Sequence, residues 1–153
     1  MQKPNLQSQY AYALFIYSMG YLYSIIYAPS ISTQFDSTST SINQIHESCF
    51  VSTDNIDFSR TRGENYYIDI MDPEKKNQIK SCAVTFWSFS HIVLYMLLGM
   101  FSPDLFTETL LVGILFELYE LVEYDCHDIL DVGFNTAGFY IGHFISQYMY
   151  TSL

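Results

Sequence analysis

Apolar residues gather in four stretches along this chain, with polar sequence between them. The first runs from Tyr10 to Ala28, YAYALFIYSMGYLYSIIYA, without a charge. The second, Cys82 to Phe101, has Cys82, His91 and Tyr95 as its only ionisable groups. The third, Leu105 to Val122, contains Glu108, Glu117 and Glu120, and the fourth runs from Ile129 to Tyr150. Each is about 18–22 residues long, and a helix needs ~20 residues to cross a hydrocarbon core of ~30 Å. Helices of water-soluble proteins normally carry one apolar stripe and one polar face, and only the third stretch has such a charged face. The pattern therefore predicts an all-α, polytopic membrane protein with four transmembrane helices, the last three at about 82–101, 105–123 and 128–149. A soluble helical domain is the alternative it disfavours. A signal-peptide h-region after Lys3 would be shorter and poorer in Tyr than the first stretch.

Between the first and second stretches lies a polar block, residues 29–81, rich in Ser, Thr, Asn, Asp and Gln. It divides the chain into a first helix (1–28), a polar loop or small domain (29–81) and a three-helix core (82–153). Period-two alternation around NYYIDIM predicts a short extended segment inside the block. The block is the natural place for a protein partner to bind. Lys75, Lys76 and Lys80 precede the second stretch, and the turns Ser102–Asp104 and Glu123–Asp128 hold no Lys or Arg. The positive-inside rule would then put the block in the cytoplasm.

Composition changes this picture in several ways. With 50% hydrophobic, 18% aromatic and only 14% charged residues, the 153-residue chain is not disordered as a whole. A net charge of -10 removes the basic footprint of a nucleic-acid binder. Mean hydropathy of +0.13 averages the greasy stretches with the polar block. Richness in Tyr, Ile and Asn is also the composition of an AT-rich genome, viral ones included, which would place the chain in a host or virion membrane. Three cysteines, Cys49, Cys82 and Cys126, allow a Cys49–Cys82 bridge in an oxidising compartment, but the odd count and the lysine pattern favour three reduced thiols.

One cluster has the makings of chemistry. Glu117, Glu120, Glu123, Asp125, Asp128 and Asp131 fall within fifteen residues. Glu117 and Glu120 share a face of the third helix, and Asp128, Asp131 and Asn135 share a face of the fourth. A short turn makes these two helices antiparallel neighbours. Counting ~1.5 Å per residue from a common interface places His91 about 13 Å deep, Glu117 about 9 Å, Asn135 about 12 Å and Asp131 about 6 Å. Two glutamates one turn apart repel, and a cation would relieve them. A hard divalent ion, Ca or Mg, suits Glu117, Glu120 and Asp131 with the Asn135 amide completing the shell. His91 would be a general base, since imidazole titrates near neutrality. Glu123 and Asp128 are secondary candidates that more naturally solvate the hairpin. Gly138 and Gly142 fit helix packing, because small residues let helices approach closely. No phosphate-cradling glycine loop, paired CxxC, HExxH or GxSxG is present.

The run from His91 through FELYE to DVGFNTAGFYIG resembles VanZ-like small membrane proteins, which carry an acid in the third helix and D-x3-N-x2-G-x3-G in the fourth, here Asp131, Asn135, Gly138 and Gly142. The order His91, Glu117, Glu120 is also similar to base-exchange phosphatidylserine synthases. That second resemblance implies an intramembrane His acting as base, acids holding calcium, and phospholipid head groups as ligands. The expected function is thus cation-dependent phospholipid head-group binding or transfer, with membrane lipids as partners. A scaffold acting through residues 29–81, or a cation- or proton-conducting oligomer, are the competing expectations.

Overall fold

The computed structural model describes residues 2–27, 49–53, 82–124 and 128–151, and of residues 24–27, 120, 123 and 124 the backbone alone. These residues form α1 (Leu6–Tyr27), β1 (Cys49–Ser52), β2 (Cys82–Thr85), α2 (Phe86–Phe101), α3 (Phe106–Tyr124) and α4 (Ile129–Thr151). Polar residues set the helix starts. The Asn5 side-chain oxygen accepts from Ser8 N at 2.9 Å, Thr85 Oγ1 accepts from Ser88 N at 3.2 Å, and Asp128 Oδ1 accepts from Leu130 N at 3.0 Å. Each satisfies a backbone N–H that the first turn leaves without an intrahelical acceptor. α2 closes at Ser102, whose N–H reaches Leu98 O at 2.7 Å just before Pro103.

The apolar run from Cys82 is not all helix. Its first residues, CAVT, are extended and pair antiparallel with β1 in a two-stranded ribbon with two register irregularities. β-branched Val84 and Thr85 favour that conformation, and a disulfide joins Cys49 to Cys82 across a Cα separation of 5.7 Å. The fully reduced state favoured by the cysteine count is therefore corrected: two of the three thiols are bridged. Phe50 of β1 stacks on Phe86 at 5.8 Å and leans on Phe89 at 5.6 Å, so the ribbon sits on the first turn of α2. The bridge closes a sequence separation of 33 residues, for which the chain-entropy relation gives roughly 3–4 kcal/mol. Reduction, or Cys49→Ser with Cys82→Ser, should lower unfolding stability by about that amount in urea melts.

The expected four-transmembrane-helix architecture and multi-pass membrane location are not upheld: no described helix is long and apolar enough to cross a membrane. α2 is apolar but has only 16 residues, about 24 Å at ~1.5 Å per residue against a core of ~30 Å. α1, α3 and α4 have 22, 19 and 23 residues but are too polar. α3 contains Glu108, Glu117, Glu120 and Glu123, while α1 and α4 are diluted by Ser, Gln, Asn, Thr and Tyr. Counting tyrosine as grease inflated the runs. Several tyrosines instead use their hydroxyls between helices: Tyr17 and Tyr95 both donate to Thr109 O, at 3.1 and 3.2 Å. The sidedness argument rested on membrane-spanning helices and goes with them. The NYYIDIM segment, His46, Cys126 and most of the 29–81 block lie outside the described residues.

α2 and α4 form the central pair, with α1 against α2 and α3 against α4. The pair runs parallel: Gly138 faces Ile92 O, Gly142 faces Met96 O, and Gly99 faces Phe139 O. At all three positions the opposing group is backbone, so the helices touch without intervening side chains. Ala13, Ile16, Tyr95, Leu98, Leu105 and Phe139 make the buried apolar core beside this contact.

At the end of the bundle where α1 begins, buried Gln9 knots α1 to the α2–α3 turn. Its Nε2 donates to Asp104 Oδ2 at 2.9 Å, its Oε1 accepts from Asp104 N at 3.0 Å, and Ser102 Oγ donates to its carbonyl at 2.8 Å. Hydrogen bonds from Lys3 and then Gln9 hold the Asp104 carboxyl below its ordinary value.

Candidate metal centre

Three helices each deliver a side chain to one place away from that knot. α2 supplies His91, α3 supplies Glu117, and α4 supplies Asp131 with Asn135 one turn later. The i, i+4 spacing puts Asp131 and Asn135 on one face. The glycine contacts bring that face against α2 at the level of His91. One ligand atom from each of His91, Glu117 and Asp131 lies within 4.8 Å of the others, and all three residues are buried. This group could hold a metal ion.

The orientation of the imidazole follows from its neighbours. Nδ1 lies 3.0 Å from Asn135 Oδ1, and a carboxamide oxygen only accepts, so Nδ1 carries the proton. Nε2 is then directed into the cluster, 3.7 Å from Asp131 Oδ2. Trp87, one turn before His91, meets the ring edge-on at 5.3 Å. Glu117 is held from the far side, where Asp128 N donates to its Oε2 at 3.3 Å. Two carboxylates at this separation in a low-dielectric setting repel each other, and a cation between them relieves that repulsion. The neighbouring Tyr95 hydroxyl is pushed up to about 12, first by burial, with the adjacent Tyr17 hydroxyl lowering it and the Glu117 charge adding to the rise.

The expected site residues divide into groups. His91, Glu117 and Asp131 converge. The Asn135 oxygen is engaged by His91 Nδ1, which makes it the residue that orients the ring. Asp128 caps α4 and positions Glu117. Gly138 and Gly142 are packing positions. Glu120 and Glu123 stand on α3, but their side chains lie outside the described residues. His143 turns to Pro103 O and Gln147, away from the cluster.

Two contributors escaped the sequence reading. Trp87 walls the imidazole, and Gly113 leaves room for Asn135 and Tyr95: a Cβ there would meet the Tyr95 hydroxyl and lie 3.0 Å from Asn135 Nδ2. Each sits four residues before a cluster member, Trp87 before His91 and Gly113 before Glu117, so helical spacing alone could have flagged both. No protein-family model, no curated protein and no solved structure matches the chain.

Proposed function

We propose that the protein binds one divalent cation through His91 Nε2, Glu117 and Asp131, and through the ion's remaining positions a phosphate-bearing ligand. The observation that carries this reading is the meeting of three potential ligand atoms from three helices within 4.8 Å in a buried setting. A dication balances the charge of two carboxylates and accepts the imidazole lone pair together with their oxygens. His91 is then a ligand, and the general-base role expected from sequence gives way, because the same nitrogen cannot do both. With three protein ligands among the described residues, the ion retains positions for water or a substrate oxygen, where it acts as a Lewis acid. The calcium or magnesium and the phospholipid head group suggested by sequence are particular cases of this ion and this ligand. The D-x3-N-x2-G-x3-G spacing behind the VanZ-like resemblance has a physical reading of its own: ligand, ring-orienting amide and two close-contact glycines.

Calorimetric titration of the metal-stripped full chain with Zn, Mn, Ca and Mg chlorides tests the proposal. It requires saturable one-to-one binding of at least one ion, and binding of glycerol phosphate only when that ion is present. The absence of saturable binding by all four would remove it. Asn135→Ala should weaken the ion by roughly 10–100-fold without removing a ligand, because a released imidazole loses its tautomer and orientation. The same titration reads that loss.

A further inference from the structure

We infer that the ion belongs to the borderline, imidazole-binding class, zinc foremost, and is not calcium or magnesium; this rests on the cation site proposed above. Carboxylates alone do not separate these ions. The imidazole does. Hard ions draw their shells from oxygen, calcium taking 6–8 such ligands and magnesium keeping several waters. Imidazole nitrogen suits zinc and its transition-metal neighbours. Here the nitrogen is built into the cluster and does not arrive there by chance. Nδ1 is tied to Asn135 Oδ1 at 3.0 Å, Trp87 closes on the ring at 5.3 Å, and Nε2 is thereby aimed at the Asp131 carboxylate 3.7 Å away. A hydrogen-bonded distal nitrogen is the usual outer-shell support of a metal-bound histidine.

Burial points the same way. Asp131 is 1% exposed, and His91 and Glu117 are each 8% exposed. Such a cluster admits few waters, whereas calcium or magnesium bound by two carboxylates would need several to complete its shell. Zinc is content with three protein ligands and one further position. Among the described residues, one nitrogen, two carboxylates and one open position make the arrangement of a catalytic rather than a structural zinc site, since structural sites close all four positions with protein ligands. The ligand taken at the open position would be an oxygen anion or a water made more acidic by the ion.

The experiment is competitive titration of the metal-stripped full chain with zinc against calcium and magnesium, repeated on His91→Gln and His143→Gln. Zinc should bind more tightly than either hard ion by roughly 100-fold or more. His91→Gln should abolish that preference, while His143→Gln, which alters a histidine outside the cluster, should leave it intact. Substitution with Co(II) should give the intense visible absorption of a four-coordinate ion, absent in His91→Gln. If that variant fails to fold by circular dichroism, Asn135→Ala carries the test, with a zinc loss of roughly 10–100-fold and little change for calcium. Calcium or magnesium binding as tightly as zinc, or zinc affinity unchanged in His91→Gln, overturns the assignment and leaves a cation site standing. Failure of every ion to bind removes the underlying site instead.

Discussion

Gly142→Ala should destabilise the protein by about 3 kcal/mol or more, the upper end of what overpacking produces. The added Cβ would fall on Met96 O and close to Met100 N of α2. Backbone atoms cannot rotate aside, so α2 and α4 must separate along their length, loosening the core around Leu98 and Phe139. Gly138 and Gly99 meet the same kind of obstacle, in Ile92 O and Phe139 O, and their alanine variants should behave alike. Gly133 on α4 is the internal control. A Cβ there has nothing within 4 Å, so Gly133→Ala should stabilise by up to about 1 kcal/mol through helix propensity alone. Urea melts of the two variants of one helix should therefore shift in opposite directions. Equal and small shifts would mean that α2 and α4 are not in backbone contact.

Glu117→Gln should produce a change of sign that depends on metal. The variant keeps the shape of the side chain and an oxygen to accept from Asp128 N. It removes one of two carboxylates whose ligand atoms lie within 4.8 Å. At that separation and an effective dielectric of about 20, two like charges repel by roughly 3 kcal/mol. In chelator, the variant should be more stable than the parent by about 1–3 kcal/mol. With zinc at about 1,000 times the dissociation constant, the parent gains about 4.1 kcal/mol and the order reverses, because the variant binds the ion poorly. A cluster that served only to hold helices together would lose stability in both conditions. Denaturation midpoints with and without metal distinguish the two.

The convergence of His91, Glu117 and Asp131 was legible because helical spacing and rise are nearly invariant. Given a short turn between α3 and α4, residue counting alone brings the three side chains to similar levels. Packing by Gly138 and Gly142 was legible for the same reason. The polarity of the helices was not. Run length counts tyrosine as grease, yet Tyr17 and Tyr95 are working polar contacts between helices. The start of α2 was also hidden. Cys82–Thr85 is as apolar as the helix that follows, and its extended form depends on pairing with β1, more than thirty residues earlier in the chain. The contact between Asn135 and His91 was not legible because composition gives an amide but not its partner; only the position of the imidazole shows which group its oxygen meets.

The most direct measurement is anomalous diffraction at the zinc edge from crystals of the full chain grown with zinc. The account requires one strong peak bounded by His91 Nε2, Glu117 and Asp131, with Asn135 still bonded to Nδ1. A peak seated only at other residues, or no peak at a zinc concentration that saturates the protein in solution, would contradict it.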